Sequence, residues 1–135
     1  MKITGSPPPN YEAIKAALNL GDRPIIFTYG DTIYNVTMWP LPGHLLAHEA
    51  THMQQQGDDP AGWWDRYLKN PEFRTEQEVE AYAVQYGYVQ KETKDRNALA
   101  RCVHSLALDL SSPAYGSILT YSMAINRIKK WHTQS

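Results

Sequence analysis

Residues 25–37 form the one run of this chain rich in strand formers: Ile25, Ile26, Phe27, Tyr29, Ile33, Tyr34, Val36 and Thr37. Gly30 and Asp31 punctuate its middle, which predicts a β-hairpin. Two strands make too small a sheet to survive alone. The hairpin must therefore pack on helices, and most of the remaining sequence has helical character.

Before the hairpin, "SPPP" is a stiff, extended lead-in. Asn10 then serves as the expected N-cap of a helix through Leu20, with Gly21 just past its end. After Pro40 and Pro42 a helix is expected over residues 43–56, stopped by Gly57. Pro60 opens a shorter one over residues 60–69. A long helix is expected from about Thr75, where Thr75 and Glu78 have the form of a capping box. Leucines and valine at helical spacing give another helix up to Leu110, broken by "SSP". The run from Ala114 to Trp131 reads as a last amphipathic helix. The expected fold is mainly α, of α+β type, with a small N-terminal hairpin packed on helices.

At 135 residues the chain suggests a single domain, residues 1–135, able to bury a core without staples. Its lone cysteine, Cys102, excludes a disulfide framework and reads as an inert buried thiol. The N-terminus has no apolar signal-like stretch, and no run is long and apolar enough to span a membrane. A cytoplasmic location is therefore expected. A net charge of −1 gives no footprint for nucleic acid or an anionic membrane. "RIKKW" near the C-terminus is a solvated helix end. The nine tyrosines and four tryptophans suggest an aromatic core or a cleft with polar handles.

Inside the helix expected over residues 43–56 lies His48-Glu49-Ala50-Thr51-His52. Positions i and i+4 share a helix face, so both imidazoles can converge on one zinc ion. Glu49 is offset by about 100° around the axis. It cannot bind with the same geometry, but it can reach a water on the metal as a general base. Zinc lowers the pKa of that water, and the glutamate takes its proton as the water attacks a carbonyl. Leu45, Leu46, Ala47 and Ala50 give the pair an apolar helical setting. His44 repeats the i, i+4 spacing, but three histidines over about 12 Å of straight helix cannot share one tetrahedral ion. Only His48 and His52 enclose Glu49, so His44 reads as a capping or surface residue.

A catalytic zinc site usually takes three protein ligands. No histidine follows His52 closely, and Asp58 and Asp59 read as turn residues before Pro60. A carboxylate from the next long helix remains, with Glu76, Glu78 and Glu80 as candidates. Periodicity does not choose among them.

His48-Glu49-Ala50-Thr51-His52, a spacer of 25 residues, then Glu78-Val79-Glu80-Ala81-Tyr82-Ala83 resembles the gluzincin metallopeptidases, the minigluzincins and related small phage and bacterial enzymes among them. The likeness covers about residues 25–90. It implies a zincin-like domain in which the hairpin packs on the helix of the histidine pair and a second helix brings Glu78 as third zinc ligand. It implies a peptide or protein substrate and hydrolysis of a peptide bond, with Glu49 as base. The chain departs from the family pattern at Tyr82, where an acidic residue supports a zinc-binding histidine; that role is left unassigned. Gluzincins often add a tyrosine or histidine that bonds the oxyanion, and Tyr67, Tyr86, Tyr115 and His104 are the candidates. Zincins of this type also pair an edge strand with the substrate, a role that falls to the hairpin here. Trp63 and Trp64 anchor the core or wall the cleft. A catalytically silent zincin fold acting as a binding or regulatory module is the alternative. Substrate preference and oligomeric state are not legible.

Overall fold

The computed structural model describes residues 1–21 and 25–134. The elements, in order, are β1 (Lys2–Thr4), α1 (Tyr11–Ala17), β2 (Ile26–Tyr29), β3 (Thr32–Asn35), α2 (Gly43–Gln56), α3 (Pro60–Lys69), α4 (Pro71–Glu92), α5 (Arg96–Leu110), a 3₁₀ turn (Pro113–Tyr115) and α6 (Tyr121–Gln134). The fold is mainly helical α+β, as expected. Among the described residues no helix is long and apolar enough to cross a membrane.

The hairpin forms as anticipated. Gly30, the first turn residue, has φ of +63°, a conformation that costs glycine little. β2 pairs antiparallel with β3, Phe27 opposite Tyr34. β1 adds a third strand, parallel to β3 with Ile3 opposite Ile33. The sheet order β1-β3-β2 puts β3 inside and leaves β2 at an edge.

Three helix boundaries differ from the sequence reading. α1 stops at Ala17, with Leu18 already extended, and Asn10 makes no side-chain cap bond. Leu18 is instead buried with Ile14, Trp63, Trp64 and Tyr67, so packing against α3 decides where the chain turns away. α4 starts at Pro71, not near Thr75. Its N-cap is Asn70, whose side chain accepts from the amides of Glu72 and Phe73. The capping-box pattern at Thr75 is therefore helix interior, where the Thr75 hydroxyl donates to the Pro71 carbonyl at 2.8 Å. The last helix begins only at Tyr121. Gly116 and Ser117, with φ of +92° and +53°, interrupt the segment before it.

The described residues form two apolar clusters. One joins α4, α5 and α6 through Val79, Val103, Leu106, Leu110 and Ile128. The other joins α1 and α3 through Ile14, Trp63 and Tyr67. α2 packs along α4 and also contacts β2 and α3. Gln56 ties α2 to the sheet: its Nε2 donates to the Thr28 carbonyl at 2.7 Å, and its Oε1 accepts from the Gly30 amide at 2.8 Å.

Candidate metal centre

The helical period places His48 and His52 on the buried face of α2, where their rings meet edge to face with centroids 4.9 Å apart. Their Nε2 atoms lie 3.2 Å from one another. Glu78, on the buried face of α4, brings Oε1 to 3.1 Å from His48 Nε2 and 3.3 Å from His52 Nε2. Three donors around a tetrahedral ion with bonds of about 2.0–2.1 Å would stand about 3.3–3.4 Å apart. The observed triangle has nearly that size, so these residues fit a small metal ion and form a buried group able to hold one.

The hydrogen bonds around the triangle point the same way. Glu78 Oε1 is buried and has no hydrogen-bond partner among the described residues. An orphaned carboxylate oxygen is costly unless something positive meets it. Glu78 Oε2 accepts from the Tyr67 hydroxyl at 2.5 Å, which leaves Oε1 alone to face the histidines. His48 Nδ1 lies 2.9 Å from Gln85 Oε1, and His52 Nδ1 lies 2.8 Å from Gln55 Oε1. An amide oxygen only accepts, so each Nδ1 carries the hydrogen. In the neutral ring each Nε2 then keeps a lone pair facing the centre, the tautomer a metal needs.

Without an ion His52 and Glu78 pair by charge. Burial opposes the charge on His52, but the Glu78 carboxylate outweighs it and raises the imidazolium to about pKa 9. Burial likewise opposes the charge on Glu78, and His52 and His48 overcome it, holding the carboxyl well below its usual range.

Glu49 stands beside the triangle and outside it. Its Oε2 is 3.8 Å from His48 Nε2, and its Oε1 accepts from the Thr28 hydroxyl at 3.0 Å. Burial pushes its pKa up, with His48 and His52 acting against that rise. Glu76 is exposed and bonds Arg127, and Glu80 accepts from Gln55, so neither joins the triangle.

All four residues face a cavity of about 320 Å³. Leu18, Ile26, Phe27 and Leu45 line part of it, and Tyr82 and Tyr115 another part. Trp63 and Trp64 both anchor the core and wall this cavity. Of the tyrosines raised from sequence, Tyr67 is committed to Glu78, Tyr86 is buried in the α4–α5–α6 cluster, and Tyr115 meets Tyr82 hydroxyl to hydroxyl at 2.9 Å. His104 is exposed and bonds Tyr121, away from the centre. His44 makes no cap. It sits half-buried in the first turn of α2, and its Nδ1 accepts from Gln85 Nε2 at 2.8 Å.

Position 82, where the gluzincin pattern has an acid, packs its tyrosine ring on His48 with centroids 4.6 Å apart. The histidine support falls to Gln85 and Gln55, which sequence reasoning missed. Gln85 is one turn beyond Tyr82 and two beyond Glu78, on the same face, which was the available signal. Comparison with protein-family models, curated proteins and solved structures finds no match.

Proposed function

We propose that this protein is a zinc-dependent peptidase of gluzincin type, in which His48, His52 and Glu78 hold the metal and Glu49 is the general base. The observation that carries this reading is Glu78 Oε1, buried without a hydrogen-bond partner among the described residues and 3.1–3.3 Å from two imidazole Nε2 atoms, with a second carboxylate beside them. Two neutral imidazoles and one carboxylate are a donor set that suits zinc and recurs in catalytic sites with an open position. Zinc bound there would supply a Lewis acid that polarises a carbonyl and acidifies water.

The chain supplies the rest. The Thr28 hydroxyl holds Glu49 Oε1, so Oε2 is the oxygen turned toward the histidines and the one to take and return a proton. Burial makes that carboxylate a better base than an exposed one, as a proton carrier requires. β2 lines the cavity at a sheet edge, where an extended peptide can pair with it.

The test is cleavage of a peptide library by the zinc-loaded protein and by Glu49→Gln. Hydrolysis that falls by orders of magnitude in the variant, with zinc retained, supports the reading. A wild-type protein that binds zinc and cleaves nothing points to a binding module. Loss of zinc from Glu49→Gln makes Glu49 a ligand and removes it as the base.

A further inference from the structure

Two glutamines hold the candidate ligand imidazoles, and they are not held equally well themselves. A glutamine offers an oxygen on one side and an NH₂ on the other, so something must decide which end faces the histidine. Gln55 Nε2 donates to Glu80 Oε1 at 2.8 Å and to the Gln77 carbonyl at 2.9 Å. Both partners only accept. A flipped Gln55 would set its oxygen against two oxygens, so Oε1 must face His52 Nδ1. Among the described residues Gln85 is oriented only by His44 Nδ1, a ring nitrogen that donates in one tautomer and accepts in the other.

We propose that Glu80, which touches none of the three ligands, is a positioning residue: through Gln55 it fixes the ring orientation and Nδ1–H tautomer of His52. The proposal rests on the metal-site reading. The chain of contacts runs Glu80 Oε1, Gln55 Nε2, Gln55 Oε1, His52 Nδ1, with both hydrogen bonds at 2.8 Å. It joins α4 to α2, so it also sets how the two helices that carry the ligands register against each other. A carboxylate in direct contact with His52 would accept from Nδ1 whichever way it turned. An amide does so in one orientation only, and Glu80, together with the Gln77 carbonyl, selects that orientation.

Zinc affinity by chelator competition, together with imidazole ¹⁵N shifts of the zinc-loaded protein, tests this on wild type, Gln55→Leu, Glu80→Ala and Glu80→Gln. Gln55→Leu should bind about 10–100-fold more weakly, and Glu80→Ala about tenfold more weakly. Glu80→Gln keeps an accepting Oε1 and should restore near wild-type affinity and the wild-type His52 shifts. Affinity and shifts unchanged in Glu80→Ala overturn the role of Glu80. Equal loss in Glu80→Ala and Glu80→Gln overturns it as well, because acceptor geometry would not be what matters. Wild-type protein that binds no zinc overturns the metal-site reading itself, a result distinct from both.

Discussion

Tyr67 donates its hydroxyl hydrogen to Glu78 across the interface of α3 and α4, at 2.5 Å and fully inside the protein. Burial and the neighbouring carboxylate push the phenol pKa well above its ordinary value, so the hydroxyl remains a donor. The bond does two things. It compensates one oxygen of a buried carboxylate, and it turns the other toward the histidines.

Tyr67→Phe should therefore act on stability and metal together. Loss of a hydrogen bond to a charged, buried group costs about 1.5–3 kcal/mol, readable in urea denaturation of the metal-free protein. Zinc affinity should fall about 10–100-fold, because Glu78 is free to turn. A variant with unchanged affinity would show that Glu78 is oriented by its packing alone.

The metal-free protein should show a pH dependence that the loaded protein lacks. His52 rises from its ordinary 6.5 to about 9 when folded, burial opposing its charge and Glu78 overcoming that. A raised pKa stabilises fully below the unfolded value and ceases to do so above the folded one. Stability from His52 should thus decline between about pH 6.5 and 9. Glu78 is shifted the other way, so its contribution is present above its ordinary 4.5 and lost well below that, in acid. Zinc replaces the His52 proton, so the gain in melting temperature on adding zinc should grow as pH rises through that window. A gain independent of pH would mean that His52 is not protonated in the metal-free centre.

The edge strand gives a third expectation. The Val36 amide donates to the Ile25 carbonyl, which puts Ile25, Phe27 and Tyr29 in hydrogen-bonded pairs with β3. Ile26 and Thr28 then present their backbone groups to the outer edge. The Thr28 carbonyl is already taken by Gln56 and by Trp64 Nε1 at 3.0 Å. A bound peptide hydroxamate should slow amide exchange at Ile26 and Thr28 and leave β3 unchanged. Protection confined to α5 and α6 would place the substrate elsewhere.

Much of this centre was legible because the histidine spacing is a local property of one helix. The hairpin was equally local, carried by β-branched residues around Gly30. Choosing Glu78 over Glu76 and Glu80 was not, because it depends on how α4 is rotated against α2. The strong N-cap at Asn70 was masked by the capping-box pattern at Thr75. β1 is three residues long and owes its existence to pairing with β3. Gln55 looks like an ordinary helix-surface residue, and Gln85 shows only its place on the Glu78 face, until tertiary packing sets each against a histidine.

Metal analysis of the purified protein reads out whether three side chains from two helices hold one zinc ion. Wild type should carry about one zinc per chain, the stoichiometry of a single three-ligand site. His48→Ala and Glu78→Ala should purify with little, while Glu76→Ala, exposed and bonded to Arg127, should keep its full complement. A wild-type protein that takes up no metal on dialysis against zinc, or a His48→Ala variant that holds as much as wild type, would contradict the account.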